Sequence, residues 1–159
     1  MKKNKITIML IMILVILISI IIFLLININD KKSFVKPEFD KTSTTSIPEN
    51  INYKKSGIKI TDRYSIYIEA LPKKTKDNYL NINLISYEDN NVWIKVRVLN
   101  NKKEIIAESG LIKSGEYLEK IKLNKTINVN DQISYKIMGY QTDSYLSAGS
   151  IILNTRIGE

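Results

Sequence analysis

The chain contains no histidine and no cysteine. Without histidine it lacks the commonest general base, and Ser-His-Asp arrangements and nearly all zinc or haem sites are excluded. Without cysteine there is no disulfide, no zinc-thiolate site, no thiol nucleophile and no lipid-modified N-terminal Cys. No GxxxxGK[ST] or GxGxxG sequence is present, so a phosphate cradle is unsupported and no cofactor or metal is expected. Dense basic stripes are also missing. The formal net charge is +8, but the lysines are scattered, in pairs at most. Scattered lysine serves solubility, and nucleic acid is not an expected partner.

What the chain does have is one long apolar run. Residues 6–26 read ITIMLIMILVILISIIIFLLI, with only Thr7 and Ser19 polar. As a helix this run rises about 30 Å, the thickness of a bilayer's hydrocarbon core. A basic tail, residues 1–5, precedes it. The run is longer than a cleaved signal's apolar core, and the following Asn27-Ile-Asn-Asp-Lys-Lys32 offers no small-residue cleavage site. The sequence therefore predicts one transmembrane signal anchor over residues 6–26. Lys2, Lys3 and Lys5 before it are matched by Lys31, Lys32, Lys36 and Lys41 after it, so flanking charge does not set the orientation. The short leading tail resembles that of an ordinary export signal and places the N-terminus inside.

Beyond the run, 21 basic residues face 16 acidic ones once Lys2, Lys3 and Lys5 are set aside. The remaining roughly 130 residues suffice for one core. That moderate excess allows a mild attraction to anionic lipid or cell-wall polymer. Richness in Ile, Lys and Asn reads first as the codon bias of an AT-rich genome. Residues 27–56 hold Ser/Thr/Pro/Lys-containing stretches with little apolar periodicity and read as an extended, solvated linker.

From residue 57 to 159 the pattern is strand after strand. Apolar residues alternate over residues 65–70, 79–86, 92–99, 104–108, 117–123, 132–140 and 149–157, the period of half-buried strands. Seven runs with short turns predict an all-β, seven-stranded antiparallel sandwich of immunoglobulin-like or fibronectin type III-like form. In Asp131-Gln-Ile-Ser-Tyr135-Lys-Ile137 an acidic residue lies four before a Tyr, with an apolar residue two after it. This resembles the sixth strand of those sandwiches, where the Tyr bonds back to nearby backbone and the residue two further on is core. Tyr135 and Ile137 are both expected in the core. Gly149, inside the last run, is expected at a bulge or a close approach.

Alternation places Val92, Ile94, Val96 and Val98 on one face, and Trp93, Lys95 and Arg97 on the other. If the strand from Gln132 pairs here, Lys136, Met138 and Tyr140 share the outer face. An exposed aromatic and basic patch of Trp93, Lys95, Arg97, Lys136, Tyr140 and Tyr145 is then a candidate binding surface for a sugar, an anionic polymer or a partner protein. The competing reading lays Trp93 flat under the Lys and Arg stems, protecting the sheet. The carboxylates Glu88 with Asp89, and Glu116 with Glu119, leave a two-carboxylate glycosidase open, although Glu88-Asp-Asn-Asn91 reads better as a turn.

Four blocks carry a resemblance: Asn91-Val-Trp-Ile-Lys-Val-Arg-Val98, Gly110-Leu-Ile-Lys-Ser-Gly-Glu-Tyr117, Lys136-Ile-Met-Gly-Tyr140 and Tyr145-Leu-Ser-Ala-Gly-Ser-Ile-Ile-Leu-Asn-Thr155. Together they resemble a group of small membrane-anchored Firmicutes proteins with a domain of this type. The resemblance implies a bacterial surface domain and carries over no site residues. The combined expectation is a single-pass protein of a bacterial cytoplasmic membrane with its C-terminal domain outside. It would act as a non-catalytic binding or structural module whose partner is another surface protein or a cell-wall polymer. The competing function is a cell-wall polysaccharide-binding module stacking sugars on Trp93, Tyr140 and Tyr145, and the third is the glycosidase.

Overall fold

The computed structural model describes residues 2–29, 34–61 and 64–159. The chain divides into two compact units, Met1–Val35 and Lys36–Glu159.

The first unit holds helix α1, Lys2–Asn29. Its described side chains are those of residues 8–9 and 11–23. Those of Ile6, Thr7, Leu10 and Leu24 to Ile26 in the expected anchor lie outside the described residues. Among the described residues no helix is long and apolar enough to cross a membrane.

The second unit is mostly β. Its strands are β1 (Ile58–Thr61), β2 (Tyr64–Tyr67), β3 (Lys73–Lys74), β4 (Tyr79–Ser86), β5 (Val92–Asn100), β6 (Ile105–Glu108), β7 (Tyr117–Lys122), β8 (Gln132–Gln141) and β9 (Ser147–Arg156), with a one-turn helix α2 at Tyr53–Ser56. They form two antiparallel sheets. In one, β4 is central, with β2 (flanked by β1) and β3 on one edge and β7 on the other; the second runs β6-β5-β8-β9. Each of the seven expected runs is a strand. The described residues add β1, paired with β2, and β3, whose two residues are too few to carry a period.

Alternation turns Leu80, Ile82 and Leu84 of β4 and Val92, Ile94, Val96 and Val98 of β5 into the space between the sheets, where each is at most 2% exposed. Ile133, Tyr135 and Ile137 of β8 join them. Tyr135 and Ile137 are thus both core, as expected. The bond of the Tyr135 hydroxyl differs from expectation: it donates to the carbonyl of Glu69, 66 residues earlier, at 3.3 Å. The expected bond to nearby backbone is replaced by a link to the segment leaving β2. The β4–β7 register shifts between Asn81 and Leu84. Asn83, at φ 44, sits in this bulge, and its Oδ1 accepts from the Tyr117 hydroxyl at 2.6 Å.

The small residues near the last hairpin make room for one ring. A Cβ on Gly139 would lie 2.7 Å from Cε1 of Tyr64, and the Tyr64 hydroxyl donates to the Gly149 carbonyl at 3.1 Å. The β8–β9 register shifts between Met138 and Tyr140, and Gly149, at φ 109, supplies the left-handed backbone there.

Of the expected linker, residues 27–56, residues 30–33 lie outside the described residues, and the part from Lys36 onward belongs to the β unit. The compact unit begins at Lys36, and residues 36–47 form a strap on the sandwich. The Leu111 N–H donates to Glu38 O and the Asp40 N–H to Leu111 O, each at 2.8 Å. Thr44 and Tyr117 exchange backbone bonds of 2.9 and 2.7 Å. Isolated bridges of this kind satisfy backbone groups without any side-chain periodicity, so composition alone reads as linker.

Truncating a buried aromatic costs about 3–5 kcal/mol, a large share of the roughly 5–15 kcal/mol that holds a domain of this size. Tyr135→Ala should therefore unfold, or nearly unfold, the Lys36–Glu159 unit in a urea titration. Tyr135→Phe should cost no more than about 1 kcal/mol, the worth of one ordinary hydrogen bond. A Tyr135→Ala protein with the parent's midpoint would remove Tyr135 from the core.

Candidate functional site

The β5–β8 register sets Trp93 opposite Tyr140, Lys95 opposite Met138 and Arg97 opposite Lys136. Five of the six expected site residues therefore share the outer face of the four-stranded sheet. The sixth, Tyr145, lies in the β8–β9 hairpin at φ 57, and its ring centroid is 5.0 Å from that of Trp93.

Trp93 is half-buried, and its ring neighbours come from the strap and the last hairpin. Phe39 of the strap meets it edge-on at 4.8 Å between centroids, so Phe39 and Tyr145 bracket the indole. Lys36 Nζ stands 4.6 Å from the Tyr145 centroid and Lys113 Nζ 4.9 Å from that of Phe39, positions that favour cation–π attraction. Lys95 and Arg97 turn instead toward β6. Lys95 Nζ lies 2.5 Å from Glu108 Oε1, and Arg97 Nε donates to Glu108 Oε2. Burial opposes ionisation of Glu108, but hydrogen bonds from Lys95 and Arg97 outweigh it and hold the carboxyl below its ordinary value.

Sequence reasoning missed Phe39, Lys36, Lys113 and Glu108. The one available signal was Phe39 itself, an aromatic flanked by charged residues in a polar stretch. Gly110 explains how the strap reaches the sheet: a Cβ there would lie 2.4 Å from Asp40 N. The Gly110 N–H donates to Asp40 Oδ2 at 2.9 Å, and Thr42 donates to Asp40 Oδ1 through its N–H at 2.9 Å and its hydroxyl at 2.7 Å. Desolvation works against the Asp40 carboxylate, but these bonds prevail and lower its pKa.

Toward the opposite end of the same face lies an open groove of about 680 Å³, lined by Asn101, Lys103, Gln132, Ser134, Asn154 and Arg156 among others. Its chemistry is amide, hydroxyl and cation. The carboxylates weighed for catalysis have structural partners or face solvent. Glu116 accepts from the Ser43 hydroxyl at 2.8 Å and the Lys113 N–H at 2.9 Å, while Glu88, Asp89 and Glu119 are exposed. Among the described residues no group of three or more Asp or Glu is placed to hold a metal ion. Comparison with known proteins finds no matching family model and no matching curated protein.

Trp93 is the only tryptophan, so its emission reports the strap. Gly110→Ala forces a side chain against strap backbone, an overpacking that costs about 1–3 kcal/mol. Its tryptophan emission should shift to the red as Phe39 withdraws, and Phe39→Ala should reproduce the shift. Unchanged emission in both variants would show that the strap does not shield Trp93.

A carboxyl whose folded pKa lies below the unfolded value binds fewer protons folded than unfolded. Its stabilisation is present above the unfolded value and is lost as pH falls through the folded one. The melting temperature of the parent should thus exceed that of Asp40→Asn near pH 6, and the gap should narrow as pH falls below the ordinary carboxylate value of about 4. A gap independent of pH would remove the Asp40 charge from the strap's stability.

Proposed function

We propose that the chain is a non-catalytic binding or structural module of a bacterial cell-surface assembly. On this reading α1 crosses the cytoplasmic membrane once and the β unit stands outside. Helix α1 covers the whole run of residues 6–26. Its described side chains are exposed around its entire circumference, from Ile8 at 58% to Phe23 at 66%, as fits a helix that lies in lipid. The Ser19 hydroxyl donates to Val15 O within the helix at 2.9 Å, so this polar group is satisfied internally, as a lipid environment requires. The strand orders support an immunoglobulin-like or fibronectin type III-like sandwich: β4 leads to β5 and β7 to β8 across the two sheets.

The single observation that carries the binding reading is the β5–β8 register, which gathers Trp93, Lys95, Arg97, Lys136 and Tyr140 on one outward face. A sequence without histidine or cysteine has few catalytic groups to offer. The alternative, a cell-wall polysaccharide-binding module, draws on the Trp93–Tyr145 ring pair. The glycosidase reading is the weakest, because Glu116 is tied into the strap contact.

The test uses the full chain in its own membrane, with a photo-crosslinking residue replacing Lys136 or, as a control, Lys76. Mass spectrometry should recover the chain with its first 30 residues attached, and a discrete adduct should form from position 136 and not from 76. A mature N-terminus near residue 30 would remove the anchor. Equal adducts from both positions would remove the outer face as the binding surface.

A further inference from the structure

The binding reading leaves the partner's chemistry open, and the whole outer face narrows it. Strands β5, β8 and β9 contain no aspartate and no glutamate over Val92–Asn100, Gln132–Gln141 and Ser147–Arg156. Their cations are Lys95, Arg97, Lys136 and Arg156. All four point outward, because the pairings Arg97 with Lys136 and Gln132 with Arg156 set them on one face. Lys36 and Lys113 add two more beside the aromatic cluster. On the fourth strand a single carboxylate, Glu108, serves both Lys95 and Arg97. Among the described residues Lys136 makes no ion pair.

This arrangement is not one that stability favours. Like charges directly opposite across antiparallel strands are destabilising, and Arg97 faces Lys136. An acidic residue at position 136 would serve the fold better. The face also has an order along the strands. It runs from the rings of Trp93, Tyr140 and Tyr145, through Lys95, Arg97 and Lys136, to the amides and hydroxyls of Gln132, Ser134 and Asn154 in the groove with Arg156. From Tyr140 to Gln132 that path is about 25 Å long.

We infer that this strip binds a linear, hydroxyl-rich polyanion, a polymer of sugars or polyols bearing phosphate, sulfate or carboxylate groups. The inference rests on the reading of this face as a binding surface. Cations spaced along the strip meet the repeated negative charges. Neutral amides and hydroxyls at one end match the polymer's hydroxyl groups, which an acidic protein segment would not supply at each repeat. The half-exposed parts of the Trp93, Tyr140 and Tyr145 rings at the other end offer apolar surface for sugar or polyol carbons. A polymer lying along the strands crosses all three zones at once.

The test uses the full chain in non-ionic detergent micelles, with Trp93 emission as the readout. The probes are dextran sulfate, neutral dextran of the same chain length, and polyglutamate. Dextran sulfate should give a saturable change that weakens as salt rises, and neutral dextran should give none. Lys136→Glu and Arg156→Gln should each weaken binding by about fivefold or more, the factor that roughly 1 kcal/mol corresponds to. Lys76→Glu, the same charge change on another surface, should leave binding within about twofold of the parent. Lys136→Glu should also raise the melting temperature, since it places opposite charges across β5 and β8; this shows that the lost binding is not lost folding. Equal weakening by Lys76→Glu and Lys136→Glu would overturn the strip in favour of net charge. Neutral dextran binding as well as dextran sulfate would overturn the requirement for anions. Tighter binding of polyglutamate would overturn the polymer class in favour of an acidic protein. No binding of any probe, with the adduct at position 136 intact, would overturn this inference and leave the module reading standing.

Discussion

The rest of the structure depends on the pairing of β5 with β8. It runs without a register shift from Val92 opposite Gln141 to Asn100 opposite Ile133. Side chains alternate with period two, so a slip of one residue would exchange the faces of a strand. It would carry Val92, Ile94, Val96 and Val98 into water and bury Trp93, Lys95 and Arg97. Each buried aliphatic is worth about 1.5–3 kcal/mol, and burying an unpaired cation costs several kcal/mol. The two terms have the same sign, so the register is held from both faces. The hydrophobic core thereby fixes the geometry of the outer face, and the spacing of Lys95, Arg97 and Lys136 follows from packing they do not share in.

The strap uses the same frame at its margin. The Ile112 backbone pairs with Ile94 of β5, and Tyr117 opens β7 in the other sheet. Residues 36–47 bond to both places, at Leu111 and at Tyr117. They thus tie the connection between the two sheets at the edge where β6 and β7 lie. Phe39 then reaches Trp93 because Gly110 lets the backbones approach. The stability of the strap and the covering of Trp93 are one physical event, so a change that lifts the strap changes the aromatic end of the face.

What the sequence revealed and what it hid divide along this line. The long strands β4, β5 and β8 were legible because each buries one face, and burial writes a period into the residues. Tyr135 and Ile137 were legible for the same reason. β3 was not: Lys73 and Lys74 pair with Asn81 and Leu80 and write no apolar period. Phe39, Asp40 and Thr44 act through backbone bonds, one carboxylate and one ring contact, which leave no repeating signature. The partner of Tyr135 lay 66 residues away, a separation that local spacing does not encode. Of the site, alternation gave the shared face of Trp93, Lys95, Arg97, Lys136 and Tyr140. It could not give Glu108, because that contact depends on which strand lies beside β5.

A sheet face that serves only to meet water gains from mixing signs, since opposite charges across strands stabilise and like charges do not. The β6–β5 pair follows that rule, with Glu108 opposite Arg97. The β5–β8–β9 surface departs from it, with Arg97 opposite Lys136 and no carboxylate on three adjacent strands. Scattered surface lysine explains a positive total, but not the absence of acids from three adjacent strands of a chain that carries 16 of them. Those acids sit elsewhere: in the strap at Asp40, at the β6–β7 corner at Glu116, and beside Lys125 at Glu104. Their placement stabilises loops and edges, and it leaves one broad sheet surface with a single sign. Such a surface repels a second copy of itself laid face to face and attracts negative charge. The segregation of charge, rather than its total, is what distinguishes this face from an ordinary solvated sheet.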